Sequence, residues 1–409
     1  MNILFLTPRL PFPPVGGDRV RAFQFIKHLG RSHRVTVVSF VEHPDEARAA
    51  EPYRDLFHRL VTVPLLRRRS YLNALVGLAS SQPLQVCYYR SPDMRAALAR
   101  EFAGNSYDVC FCFMIRVAQY LDQVPVRKVV DFCDAQAIFH RRSAALAHGL
   151  RRSTLIHAVE AKRIGPYEIG WVNRADVAIF ISTVDAEYCR RPENADRIAI
   201  VRNGVDTNAF PFHPGPRDEN RIVYMGNMRT FQNTDAVTYF VEEIFPLVRK
   251  QRPHAVLHIV GNAPSKDVQR LHDGKGVIVT GRVDSVIQYM AAASVMVAPM
   301  RAVAGVQNKI LESLAVGTPV VTTSIGAEGL DPRVMTIADT PPAFADATVA
   351  LMTDPARRNE IAAAGRACIE TQYTWEKTLA GLDSLLEGRI SDRNRIPTGS
   401  NPKAEKTPV

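Results

Sequence analysis

Between Val295 and Thr323 a strand, a loop, a helix and another strand follow in turn, and the helix opens with residues able to hold an anion. Val295-Met296-Val297-Ala298-Pro299 reads as a buried strand, and Met300 to Ala304 as the loop after it. Gly305 to Val316 reads as the helix, Gly317 as its stop, and Thr318 to Thr323 as the next strand. Gln307, Asn308 and Lys309 fall in the first turn, where free N–H groups and an ammonium together suit a diphosphate. Glu312 can accept two hydrogen bonds, as a ribose diol requires. The alternative is a surface Lys309–Glu312 pair at i,i+3, worth a few tenths of a kcal/mol. That pair explains poorly why a cation sits at the positive end of a helix dipole.

A second anion candidate follows the first apolar run. Pro8-Arg9-Leu10-Pro11-Phe12-Pro13-Pro14-Val15-Gly16-Gly17-Asp18 leads into a helix with Arg19, Val20, Arg21, Phe23, Ile26 and Leu29 at helical spacing. Gly16 and Gly17 permit a tight path onto a helix N-terminus, so Gly16, Gly17 and Arg21 are candidates for a phosphate or acceptor loop. An ordinary N-cap at Asp18 is the competing reading. Neither Gly-x-Gly-x-x-Gly nor Gly-x-x-x-x-Gly-Lys-Ser/Thr occurs, which counts against nicotinamide oxidoreduction and P-loop phosphoryl transfer.

These segments need a scaffold, and the chain supplies one from end to end. Short apolar runs alternate with amphipathic helical patterns, which predicts βα units and parallel sheets. Strands are expected near 2–7, 34–40, 60–65, 108–114, 128–133, 177–182 and 198–202, with a long helix across 136–173. After Asn203-Gly204 the Pro- and Gly-rich stretch 205–220 reads as a linker. The count restarts with strands near 221–226, 256–261, 277–281, 295–299, 319–323 and 334–338. Helices over 341–353, 355–373 and 375–388 follow, and the polar tail 391–409 is expected to be disordered. The 409 residues thus divide into an N-terminal α/β domain over 1–204, joined by a returning helix at about 375–390, and a C-terminal one over 221–374. Ligands are expected at the carboxyl ends of such sheets.

Charge is uneven. Residues 1–200 hold 28 Lys+Arg against 19 Asp+Glu, and residues 201–409 hold 23 against 22, so the net charge of +10 lies almost wholly in the first half. Anionic lipid or a phosphorylated acceptor fits such a half, as does a solvated basic face. Nucleic acid fits least, because no helix-turn-helix, RRM or zinc-finger pattern accompanies the charge. Six cysteines without a Cys-x-x-Cys pair read as buried free thiols of a reducing compartment. The opening Met1-Asn2-Ile3-Leu4-Phe5-Leu6-Thr7 lacks a basic leader and reads as a strand, and no apolar run reaches eighteen residues. A cytoplasmic protein is expected.

The 295–321 stretch resembles the donor-binding segment of family 4 of the GT-B retaining glycosyltransferases, and the likeness runs along nearly the whole chain. That family's segment carries a Glu, seven residues and a second Glu; Glu312 matches the second, while Ala304 stands at the first. Gly305-x-Gln307-Asn308-Lys309-x-x-Glu312 is similar to the form in an exopolysaccharide-associated subgroup of exosortase (PEP-CTERM) bacteria. Gly17-Asp18-Arg19-Val20-Arg21, Pro83 to Arg90, Ala118-Gln119-Tyr120, Asp131-Phe132-Cys133-Asp134 and Thr280 to Asp284 resemble that subgroup as well.

The resemblance implies two Rossmann-like domains facing each other across a cleft, and sugar transfer from a UDP- or GDP-sugar to a glycan or lipid-linked acceptor. It places Gly226 beside the donor phosphates and Arg229 in the loop that follows. Lys309 would supply the second cation, and Gly305 and Asn308 would line the donor. Arg301, at the end of its strand, is a further phosphate candidate or a solvated cation. Relatives often place His-Asp near the reacting sugar; here Asp134 takes that place, to accept the acceptor proton or stabilise an oxocarbenium-like donor. A helix N-cap is its rival reading, and His140 reads as structural. With no Asp-x-Asp in the chain, no metal and no cofactor are expected. A nucleotide-sugar 2-epimerase and a non-catalytic binding protein, the latter prompted by Ala304, remain open alternatives.

One stretch stands apart. Leu65-Leu66-Arg67-Arg68-Arg69-Ser70-Tyr71-Leu72-Asn73-Ala74-Leu75-Val76-Gly77-Leu78 sets a basic cluster before an apolar run too short to span a bilayer. It reads either as an interfacial anchor on an anionic membrane or as a buried helix with a basic cap.

Overall fold

Thirteen strands among the described residues form two parallel sheets in a computed structural model, one sheet in each of two units. The structure describes residues 1–146 and 152–396. The N-terminal unit takes in Met1–Ile138, Ala158–Val201 and the chain from Leu379; the C-terminal unit takes in Phe139–His157 and Arg202–Thr378.

In the N-terminal unit β1 (Asn2–Thr7), β2 (Arg34–Val41), β3 (Arg59–Pro64), β4 (Val109–Phe113), β5 (Arg127–Cys133), β6 (Val177–Phe180) and β7 (Ile198–Ile200) stand in the order β3-β2-β1-β4-β5-β6-β7. Between them run α1 (Gly17–Leu29), α2 (Arg67–Gly77), α3 (Leu84–Tyr88), α4 (Pro92–Gly104) and α7 (Thr183–Cys189), with the start of α5 (Gln136–Leu146) and most of α6 (Arg152–Arg174); the parts of both within Phe139–His157 belong to the C-terminal unit. The winding reverses between β1 and β4, so the crevice at their carboxyl ends is a natural ligand position. β4 is buried at all five residues, which is why it reads as an unbroken apolar run. Its Cys110 and Cys112 face one apolar core with Leu4, Val130 and Phe180, and all six cysteines are free and buried. Burial pushes the Cys110 thiol up to about 12. The helix expected across 136–173 is two helices, α5 and α6; residues 147–151 lie outside the described residues.

The C-terminal unit repeats the plan with β8 (Asp218–Met225), β9 (Val256–Val260), β10 (Val277–Gly281), β11 (Ala293–Ala298), β12 (Val320–Thr322) and β13 (Thr336–Ile337), ordered β10-β9-β8-β11-β12-β13. Its helices are α8 (Phe231–Tyr239), α9 (Phe245–Gln251), α10 (Lys266–Arg270), α11 (Val286–Ala292), α12 (Asn308–Val316), α13 (Pro341–Thr353), α14 (Pro355–Gln372) and α15 (Trp375–Leu379). α16 (Leu382–Leu386) is counted with the N-terminal unit. Here the winding reverses between β8 and β11, and the loops leaving these two strands carry Gly226 to Thr230 and Pro299 to Gln307.

Three boundaries differ from the sequence reading. The stretch 205–217 is no free tether: Val205 N–H donates to Tyr373 O (2.7 Å), His213 N–H to Val316 O (3.0 Å), and Arg217 Nη2 to Gly317 O (2.7 Å). Those bonds fasten it to the C-terminal unit. The helix expected from Gly305 begins at Asn308, because Gly305 has φ 68°, outside the helical basin. The segment 375–388 breaks into α15 and α16 at Gly381, which packs against the Asn394 side chain. Of the expected tail, residues 397–409 lie outside the described residues. Gly317 does end α12 in the left-handed region (φ 84°), with the Phe212 ring where a Cβ would stand.

Candidate active site

In the C-terminal unit one side chain organises the loop after β8. Asn233, in the first turn of α8 and only 7% exposed, donates through Nδ2 to Asn227 O (3.0 Å) and Thr230 Oγ1 (2.9 Å). Its Oδ1 accepts from the Tyr224 hydroxyl (2.7 Å) and from the Lys309 ammonium. Gly226 is glycine for the same reason: a Cβ there would meet the Asn233 carboxamide at 2.7 Å. Lys309 Nζ also donates to Tyr224 Oη (2.9 Å) and lies 4.6 Å from the centroid of that ring.

This network brings two helix N-termini together. Asn233 belongs to the first turn of α8 and Lys309 to the first turn of α12, and one hydrogen bond joins them. The N-caps, Thr230 and Gln307, make no side-chain hydrogen bond to their helices. The leading N–H groups of both helices therefore keep their donor capacity, and both dipoles point their positive ends at one place. Beside them Arg229 is exposed, and its guanidinium has no hydrogen-bond or ion-pair partner among the described residues. Two uncapped N-termini and a free cation are what a doubly charged phosphate group needs.

Lys309 and Glu312 take different places in this arrangement. Lys309 is half-buried, and its ammonium is held by oxygens of its own unit. Burial pushes it down to about 7, against the opposing charge of Glu312. Its first contribution is thus to hold α12 against the Gly226 loop. Glu312, also half-buried, has no hydrogen-bond partner among the described residues, and burial pushes its carboxyl up to about 7. It keeps acceptor capacity for a ligand. Asn308 Oδ1 accepts from Asn203 Nδ2 (2.6 Å), and Ala304 is buried with its carbonyl bonded by the Gln307 amide at 3.4 Å. Arg301 departs from the expected free phosphate ligand. Its Nε and Nη2 bind Asp235 at 3.0 and 2.5 Å, and its guanidinium stacks 4.2 Å from the Tyr239 ring centroid. A bidentate partner of this kind commits the side chain to α8.

In the N-terminal unit α1 starts at Gly17 after Gly16 (φ 98°), and no side chain caps it. Asp18, the expected N-cap, pairs instead with Arg9. Arg21 does not line a ligand loop. It is 2% exposed, bound through Nε to Asp131 Oδ2 (2.8 Å) and through Nη2 to Asp131 Oδ1 (3.0 Å). The helix period that turns Phe25 and Leu29 inward turns Arg21 inward too, and buried Asp131 on β5 supplies the charge it needs.

Asp134 follows β5, half-buried, its Oδ1 accepting from Gln136 Nε2 (2.6 Å); burial pushes its carboxyl up, with the Gln136 bond opposing. The N-cap reading of this residue does not hold. Ala135 N–H donates to Asp185 Oδ1 (2.9 Å), and Gln136 and Ala137 N–H donate to Glu168 (2.7 and 3.3 Å). Two carboxylates from α6 and α7 thus cap α5 and leave Asp134 free for other work. On α6, buried Glu160 accepts from Gln85 N–H (2.8 Å) through one oxygen, while the other has no partner among the described residues. Arg116 Nε donates to Gln85 Oε1 (2.9 Å). Asn233, Tyr224, Glu160, Glu168 and Asp185 were not singled out by sequence, since no motif spacing marks them. His140 and His157 share a 3.0 Å Nδ1–Nδ1 hydrogen bond in the C-terminal unit.

Two doubly wound parallel sheets, one in each unit, match the GT-B fold of solved glycosyltransferase structures. Residues 219–354, the body of that second unit, match the family described as Glycosyl transferases group 1. The chain is a glycosyltransferase on the GT-B fold. It is similar to sucrose-phosphate synthase from Thermosynechococcus elongatus (TM-score 0.70, 17% identity, 95% of this chain and 98% of that one). It is also similar to Anabaena HepE in complex with UDP (TM-score 0.64, 14% identity, 95% and 100%). A GDP-mannose-dependent alpha-(1-6)-phosphatidylinositol monomannoside mannosyltransferase from Mycobacterium tuberculosis is 26% identical over 309 residues, 65% of this chain and 79% of that protein. An uncharacterized 44.6 kDa protein in the cps region of Klebsiella pneumoniae is 28% identical over 116 residues, 26% of this chain and 30% of that protein.

Proposed function

We propose that the chain is a retaining hexosyltransferase that moves a sugar from a UDP- or GDP-sugar to a glycan or lipid-linked acceptor in exopolysaccharide synthesis, at the cytoplasmic face of a membrane. One observation carries this reading: the joined, uncapped N-termini of α8 and α12 beside unpaired Arg229. The donor diphosphate accepts from those N–H groups and from Arg229, and Glu312 accepts from the ribose diol. Developing negative charge on the leaving diphosphate is met by fixed dipoles and a cation, so the reaction proceeds without metal or cofactor. The acceptor oxygen bonds to the anomeric carbon on the face that the diphosphate leaves, the carbon–phosphate oxygen bond breaks with its electron pair leaving on the diphosphate, and the acceptor proton passes to the Asp134 carboxylate. Asp134 is assigned to the acceptor hydroxyl. Anabaena HepE, a structural neighbour in complex with UDP, and the GDP-mannose-dependent mannosyltransferase relative support both nucleotides as donor classes.

A thermal-shift panel of UDP-, GDP- and ADP-sugars, followed by turnover with the stabilising donor, tests the reading. Binding of one donor with EDTA-resistant release of its nucleoside diphosphate supports it. Tight donor binding with no turnover on any acceptor would replace it with a non-catalytic binding protein, and conversion of donor to its epimer would replace it with an epimerase.

A further inference from the structure

The residues of α2 settle which of its two sequence readings holds. Leu66 is 58% exposed, Tyr71 66%, Leu72 62%, Leu75 62%, Val76 70% and Leu78 49%. Helical spacing puts Tyr71, Leu72, Leu75 and Val76 on one face, and only the opposite side, through Ser70 and Gly77, is buried. Gly77 lies against Cys87, and Arg163 donates to the carbonyls of Gly77 and Leu78 (both 2.8 Å), so the end of the helix is anchored while its apolar face is left open. A contiguous face of this kind on a soluble unit marks a contact surface.

Charge selects the partner. From Leu56 to Pro92 the sequence has no Asp or Glu, yet it carries Arg59, Arg67, Arg68, Arg69 and Arg90. Arg67 is paired with Glu42, whereas Arg68 and Arg69 are exposed and have no partner among the described residues. No described helix is long and apolar enough to cross a membrane. We infer that α2 is an interfacial helix that docks the N-terminal unit on an anionic lipid surface. Leu72, Leu75 and Val76 enter the headgroup–acyl boundary, Tyr71 sits at that boundary, and Arg68 and Arg69 meet the lipid phosphates. This names the surface through which the proposed enzyme reaches a lipid-linked acceptor, and it stands whether or not sugar transfer is the activity.

Flotation of the full chain with phosphatidylglycerol-containing and pure phosphatidylcholine vesicles tests it. Wild type is expected to float with the anionic vesicles and release at high salt. Leu72→Glu/Leu75→Glu and Arg68→Glu/Arg69→Glu are each expected to cut the floated fraction at least tenfold. A full-chain thermal melt with the cooperativity and midpoint of wild type is expected for both variants and shows that the N-terminal unit still folds. Equal flotation of either variant and wild type overturns the inference, as does no binding by wild type. A wild-type dimer that Leu72→Glu/Leu75→Glu converts to monomer, without vesicle binding, overturns it in favour of a self-association face.

Discussion

Lys309 and Asn233 join the first turns of two helices that start 77 residues apart, at Phe231 and Asn308, and their hydrogen bond makes one anion-facing corner from two separate βα units. A cation in a helix first turn opposes the dipole. Here its cost is offset by the Asn233 oxygen and by the hydroxyl and ring face of Tyr224.

Asn233→Ala and Arg229→Ala should therefore behave differently. Asn233→Ala removes an acceptor from a half-buried ammonium and a staple from the Gly226 loop, and should lower stability by about 2 kcal/mol in urea unfolding. Donor affinity should fall with it. Arg229→Ala touches no described partner, so the unfolding midpoint should stay within error while turnover drops at least tenfold. Lys309→Ala should also lower turnover strongly. Wild-type rates in Arg229→Ala and Lys309→Ala together would remove the assignment of this corner to the donor.

The pair Lys309 and Glu312 should leave a mark on stability against pH. Glu312 is raised to about 7, so between the ordinary carboxylate range and 7 the folded state holds a proton that the unfolded state has lost, and stability falls as pH rises. Lys309 is lowered to about 7, so above 7 the unfolded state holds the extra proton, and stability rises with pH up to the ordinary lysine range. Together they predict a shallow minimum near neutrality in the urea midpoint measured from pH 5 to 9. The double variant Lys309→Met/Glu312→Gln should flatten it, and an unchanged curve would show that neither group titrates there. Bound donor should deepen the protection of wild type at neutral pH by favouring the charged lysine.

Much of this architecture could be read from residue patterns. Parallel strands covered on both faces are continuous apolar runs, so Val109 to Phe113 and Ala293 to Ala298 announce themselves, and Gly317 marks the end of α12. The direction of a polar side chain is a different matter. Arg21 is read as a ligand-loop cation because its partner Asp131 lies 110 positions away, and no local period records that distance. Arg301 and Asp235 are separated by 66 positions, and the capping of α5 by Glu168 replaces the nearest-neighbour cap that Asp134 offers. Long-range polar satisfaction is set by the fold, so it becomes visible only with the fold.

The Arg21–Asp131 pair makes a prediction about folding alone. Both partners are at most 2% exposed, and removing one leaves an uncompensated buried charge. Arg21→Ala should destabilise the N-terminal unit by about 4 kcal/mol, seen as loss of soluble protein or an early unfolding transition. Arg21→Met/Asp131→Leu, which removes both charges, should recover much of that stability and retain the donor-induced thermal shift. A double variant that folds well yet no longer binds donor would mean that Arg21 serves the ligand after all.

Asp134 gives the sharpest test of the acceptor side. Its carboxyl is half-buried, spared from helix capping by Glu168 and Asp185, and held by a single side-chain bond from Gln136 that an asparagine oxygen can also accept. Asp134→Asn should keep the fold and the donor thermal shift while lowering kcat by about 100-fold, the range expected for loss of a positioned acid–base group. Because burial raises its pKa, the folded state binds the proton more tightly, so a base at this position becomes competent only as pH rises through the raised value. Wild-type kcat/KM should therefore climb with pH on its acidic limb, and that limb should vanish in Asp134→Asn. A variant that keeps the acidic limb at full rate would assign the proton to another group, and Glu160, with its unpartnered oxygen, would be the next to change.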